Sequence, residues 1–147
     1  MNSISTKTNL EKLQADQEPE FGRMTPQHMV EHLTLTVKIS SSRIKIPFFE
    51  PNRKQLEMKR MLLETGMDFP KEIKFPNDPG KLLPLRFPDL ETAKTKLLQS
   101  LEEFEEFFNQ NPTAKTMHPV LGELDKEEWE RFHQKHFKHH FSQFGIW

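Results

Sequence analysis

An all-α fold, organised as a four-helix bundle, is what the punctuation of this chain implies. Four stretches carry helical periodicity bounded by capping residues, and two of them are long. The eleven prolines collect in the connections and at helix starts.

The first helix opens at Thr25-Pro26, an N-cap followed by proline at a position where its missing N–H costs nothing, and runs to about Ser42. At roughly 100° per residue, Met29, Leu33 and Val37 share one stripe, with His32, Thr36 and Ser40 beside it. His32 is thereby turned toward the core. The second helix covers about Asn52 to Thr65, with Gly66 expected as a left-handed cap; its apolar residues (Leu56, Met58, Met61, Leu62, Leu63) follow no clean stripe. Residues 67–88 carry five prolines and little periodicity, and so long a connection is either functional, as a lid over a site, or a surface wrap. Pro88-Asp89 opens the third helix, in which Leu90, Ala93, Leu97, Leu101, Phe104 and Phe108 form the clearest amphipathic pattern, ending near Asn109. The acidic run Glu102-Glu103 and Glu105-Glu106 lies mostly off that stripe, on a solvated face. After a loop over 115–124, Asp125 and Glu128 make the capping-box signature of the fourth helix.

With 147 residues the chain amounts to a single domain, 1–147, able to bury its own core, in which 1–20 is a peripheral helix or a frayed extension. A net charge of -1 creates no field to recruit nucleic acid or anionic lipid. The N-terminus lacks the apolar stretch of a signal peptide and no segment reads as a membrane span, so the expectation is a cytoplasmic protein with no nucleic-acid or membrane partner. There is no cysteine, which excludes disulfides, thiolate metal sites and a thiol nucleophile of the protein's own. Thirteen phenylalanines and seven methionines predict an aromatic-rich core that is deformable in places.

The last helix carries the unusual chemistry. Trp129, Phe132, His133, His136, Phe137, His140 and Phe144 fall within about 140° of arc, so its apolar face is studded with imidazoles, with His139 at the edge. Several neutral rings buried together would have to share hydrogen-bond partners or shift their pKa values strongly. A metal ion removes that difficulty, because it takes one nitrogen from each ring and leaves the other for a neighbouring acceptor. His136 and His140, four apart, resemble the pair supplied by His-x-x-x-His helices in zinc enzymes, and His32 can add a third nitrogen from across the bundle. Three protein ligands with a position left open is the catalytic rather than the structural pattern. The plainer reading is that hydrogen bonds satisfy these histidines. His133 competes as a replacement ligand or as a neighbour of the site, His118 reads as a loop or capping residue, and His28 as a residue at the bundle's edge.

The segments Met24-Thr-Pro-Gln-His28-Met-Val-Glu-His32-Leu33, His118-Pro-Val-Leu-Gly-Glu-Leu124 and His136-Phe-Lys-His139-His140-Phe-Ser-Gln143-Phe-Gly145 resemble the DinB-like metalloenzyme superfamily, and within it a branch of small, mostly bacterial domains of unknown function. The resemblance implies a bundle that binds a divalent ion, typically zinc or nickel, through His32, His136 and His140. These are the residues that helix geometry also selects. Relatives in the superfamily include transferases and isomerases that use low-molecular-weight thiols. This chain departs from the commonest pattern, in which the last ligand is followed by Arg-Gly-Gln: Phe141-Ser142-Gln143 stands there and keeps only the glutamine. The fold and the triad are unaffected, but transfer of the thiol chemistry is weakened.

The leading functional expectation is a metal-dependent enzyme activating a bound water or a thiol cosubstrate, of hydrolase or S-transferase type. His133 and Gln143 are its candidate acid/base or supporting groups, with Glu31 a third. The alternative is a non-catalytic metal- or ligand-binding module, with homodimerisation through helix faces open in either case.

Overall fold

The computed structural model describes residues 3–70 and 82–147. Among them are five helices and one short hairpin: α1 (Ser3–Leu10), α2 (Pro26–Ser40), α3 (Arg53–Glu64), α4 (Leu90–Gln110), β1 (Thr116–His118), β2 (Gly122–Leu124) and α5 (Lys126–Ser142). The fold is mostly helical with bundle packing: α2 lies most extensively against α4 and also meets α5, while α3 packs on α5 and α1 on α4. No helix among the described residues is long and apolar enough to cross a membrane.

Local sequence accounts for most helix starts. Thr25 accepts the amide of His28 at 3.2 Å, and Asp89 accepts that of Thr92 at 2.7 Å. Reciprocal capping boxes open α3 (Asn52 with Gln55) and α5 (Asp125 with Glu128). The expected stripes are buried: Met29, Leu33 and Val37 on α2, all six named positions on α4, and the aromatic and imidazole face of α5. The ragged pattern of α3 has a physical cause, since only Leu62 and Leu63 are buried and Leu56 and Met61 remain exposed. Polar contacts dock that helix end instead. Lys135 donates to the carbonyls of Thr65 and Met67 at 2.7 and 2.6 Å, and Lys138 reaches Asp68.

Two details differ from expectation, at Gly66 and in the loop 115–124, and the N-terminal stretch takes the helical one of its two expected forms. Gly66 is not in the left-handed region; Thr65 is extended and its hydroxyl returns to the Met61 carbonyl, which closes the helix without a glycine cap. The N-terminal stretch begins as a helix that buries Thr6 and Leu10, and the Leu13 carbonyl accepts from the nearly buried Lys94 at 2.8 Å. The loop 115–124 is an antiparallel hairpin in which Thr116 pairs with Leu124 and His118 with Gly122. His118 Nδ1 caps its turn by accepting the amides of Val120 and Leu121 at 3.0 and 3.1 Å. Gly122 is required there: its φ is +85°, and a Cβ would come within 2.4 Å of Pro51 Cγ. Of the connection 67–88, residues 71–81 lie outside those described.

Two hydrogen-bond chains tie the hairpin and α5 to the C-terminal end of α2. Trp129 Nε1–H donates to Thr116 Oγ1 at 2.7 Å, and that hydroxyl donates to the Ser40 carbonyl at 2.9 Å. His133 Nε2 lies 2.8 Å from Ser40 Oγ; because the Ser40 hydroxyl donates to the Val37 carbonyl, it accepts from His133. The His133 ring also stacks on Trp129 with centroids 5.2 Å apart.

The end of α2 generates one prediction. Ser42 has φ 62°, while its amide donates to Ile39 and that of Arg43 to Lys38, the Schellman arrangement that favours glycine at this position. Ser42→Gly is expected to raise the unfolding free energy by about 0.5–1 kcal/mol, read by urea denaturation; an unchanged midpoint would contradict strain at this residue. A second concerns acid. Burial pushes His118 and His133 down from 6.5 to about 3, with His118 adding to the effect at His133. The unfolded chain then binds protons that the folded chain refuses. Stability is complete above pH 6.5 and declines as pH falls toward 3, by up to about 1.4 kcal/mol per pH unit for each ring. Denaturation profiles between neutral pH and pH 4 would show this slope, and a flat profile would refute the buried neutral state.

Candidate metal centre

The site is assembled from two helices. On α5, His136 and His140 stand one turn apart, 3% and 7% exposed, and α2 brings the half-buried His32 against them. The Nε2 atom of His136 lies 2.9 Å from that of His32 and 3.1 Å from that of His140. The three ligand atoms all fall within 4.8 Å of one another, making a three-histidine group that could hold a metal ion. Ring centroids are 4.7–4.8 Å apart in edge-on pairs, so no two rings stack and their nitrogens converge.

Hydrogen bonds alone do not satisfy this convergence. His140 Nδ1 is 2.7 Å from Gln143 Oε1, and the amide of Gln143 faces the Phe21 carbonyl with its nitrogen, so Oε1 is the acceptor. His140 therefore carries its proton on Nδ1 and directs the Nε2 lone pair at the other rings. The Nε2 of His136 offers either one N–H or one lone pair, yet it has a ring nitrogen close by on both sides. Its Nδ1 is buried without a hydrogen-bond partner among the described residues. Burial, then the neighbouring His140 and His32, pushes His136 well below its ordinary pKa; burial and His32 do the same to His140 against the opposing effect of Gln143. All of this disfavours protonated rings and leaves neutral nitrogen donors. Adjacent ligands on an ion with ~2.05 Å bonds sit ~2.9–3.3 Å apart, from octahedral to tetrahedral geometry, and the two short separations match that range. The donor set is one that could hold a divalent ion.

The other sequence candidates divide. Gln143 is at the site and orients His140. His133 is not brought to the triad, being committed to Ser40. Glu31 accepts the amides of Arg86 and Phe87 at 2.7 and 3.3 Å and that of the Gln27 side chain at 2.9 Å, clamping the segment before α4 onto α2. His118 caps the hairpin. His28 pairs with Thr25 at the start of α2, and His139 sits at the rim against Phe21 and Phe69.

Sequence reasoning missed three contributors. Phe69 is 7% exposed and rests against Phe132 and His136, closing one side of the triad. The strap between α1 and α2 crosses the end of α5: Glu20 donates its amide to the Gln143 carbonyl at 2.6 Å, and Gln17 bonds the Phe144 carbonyl. Gly22, at φ +83°, leaves room for Gln143, since a Cβ there would lie 2.6 Å from its Nε2. The only sequence signal for this was a lone glycine outside any periodic stretch. A cavity of about 350 Å³ opens onto His32 and His136, walled by α2, the hairpin turn, Phe132 and residues 82–86. A larger groove of about 710 Å³ lies between α4 and α5 among acidic side chains, and it reaches none of the triad.

No curated protein and no solved structure matches this chain. One family profile, described as "Protein of unknown function (DUF1569)", matches residues 5–145. That span takes in the strap, both ligand-bearing helices, the hairpin and Gln143, and the chain belongs to the DUF1569 family.

Proposed function

We propose that this protein is a divalent-metal-dependent enzyme of the DinB-like helical-bundle type, with His32, His136 and His140 as ligands and zinc or nickel as the ion. The observation that carries this reading is the convergence of three histidine Nε2 atoms beside a cavity of small-molecule size. A divalent ion held there would supply Lewis acidity, able to bring a water's pKa from 15.7 to roughly 7 or to hold a thiol as thiolate.

The remaining work falls to the chain. Gln143 keeps the proton of His140 on Nδ1 and its Nε2 free to coordinate. Phe69 and Phe132 flank His136 and exclude water from its sides, while the cavity gives access from the direction of His32. Having no cysteine, the protein would take any thiol as a small cosubstrate; a small molecule or a low-molecular-weight thiol is the partner proposed. Retention of Gln143 from the Arg-Gly-Gln pattern supports the reading, because the retained residue is the one that touches a ligand. A non-catalytic bundle clamped by metal is the second reading, favoured by the burial of His136 and His140 at the junction of α2 and α5.

Elemental analysis of purified protein should find about one divalent ion per chain, largely lost in His136→Ala and kept in His28→Ala, with helical circular dichroism intact in both. Unchanged metal in His136→Ala would overturn the triad. Ordered, exchangeable water on the ion by relaxation measurements separates the enzyme from the clamped module. Gln143→Ala should weaken metal affinity about 10- to 100-fold in a chelator competition while the fold persists; equal affinity would refute the orienting role of the amide.

A further inference from the structure

We infer that the cavity beside the triad binds a small, mostly apolar molecule with one anionic head, the class of medium-chain carboxylic acids and their analogues. This rests on the metal reading above and names the ligand that the same site would take. The cavity wall combines polar and apolar side chains. Its ring nitrogens from His32 and His136 gather at one place, whereas Leu35, Ile39, Val120 and Phe132 supply apolar wall. Leu82 and Leu83 complete that wall while remaining 40% and 51% exposed, large apolar surfaces that a ligand's tail would cover.

The sign of the head follows from the charges present. Glu31 borders the cavity, but its two oxygens already accept three N–H groups, so it does not call for a cation. Arg86 is the one permanently cationic side chain on the wall, and no carboxylate among the described residues pairs with it. Three neutral imidazoles would leave a bound divalent ion its full charge, which an anionic head neutralises. Size narrows the class further. About 350 Å³ lies near the lower end of the ~300–1,000 Å³ range of ligand pockets, too little for a dinucleotide or a folded peptide.

The test uses the cobalt(II)-loaded full chain, whose visible spectrum reports on the ion independently of any activity. Acetate, butanoate, hexanoate and octanoate are titrated in turn, with alkylamines of matching length as the sign control. The dissociation constant should fall about three- to fourfold for each methylene until the cavity is full, and the amines should bind more weakly than the acids. Leu83→Asp, a change at an exposed position, should flatten the chain-length series. Acetate binding as tightly as hexanoate, or amines matching acids, overturns the inference while leaving the metal reading standing. Failure to take up stoichiometric cobalt removes the metal reading and this inference with it.

Discussion

A neutral imidazole carries one donor and one acceptor, and each one left unmet in an apolar interior costs about 1–3 kcal/mol. This bundle buries four such rings, His118, His133, His136 and His140. The structure around them is largely the set of answers to that constraint. Two backbone amides of a tight hairpin turn meet His118, and the Ser40 hydroxyl meets His133. Gln143 meets the outer nitrogen of His140. The inner nitrogens of His136 and His140 turn toward His32 on the neighbouring helix. Those inner nitrogens collect at one place, while the Nδ1 atoms of His133 and His136 stay buried without a hydrogen-bond partner among the described residues. A three-nitrogen donor set is the result.

Each answer places a demand on a distant part of the chain. Gln143 can face His140 only if the strap leaves it space, which Gly22 does with its missing Cβ. The hairpin turn that caps His118 closes only with Gly122 in the left-handed region and Pro51 packed against it. Ser40 must sit at the end of α2, within reach of both His133 and Thr116. Two ligands on one turn of α5 and a third on α2 place the site on rigid elements, which hold coordinating atoms more closely than loops do. The access side is less regular, made from the hairpin turn and residues 82–86, with Glu31 fastening the end of that segment.

Much of this was legible in local sequence, for identifiable reasons. Capping is a short-range interaction, so Thr25, Asp89 and Asp125 announced their helices correctly. Periodicity reports burial directly when one face of a helix meets one core, as on α2 and α4. It failed on α3, where lysine contacts and two leucines hold the helix, and at Gly66, where the Thr65 side chain does what a glycine conformation was expected to do. The hairpin escaped notice because three-residue strands are too short to show alternation, and its decisive contact, Gly122 on Pro51, spans much of the chain.

Helix geometry brought forward His32 and the His136–His140 pair with His133 as their rival, since spacing on a helix converts directly into position on a face, and the resemblance pointed to His32, His136 and His140. Composition excluded a cysteine site, and the N-cap signals set the register of the helices that carry the ligands. The direction in which each ring points was decided by tertiary structure. His133 and His136 share one face of α5, yet one turns to Ser40 and the other to His32, because side-chain direction answers to partners from other helices. The strap over Gln143, the Phe69 wall and the cavity also arise from contacts between segments far apart in sequence, which no periodicity or spacing encodes.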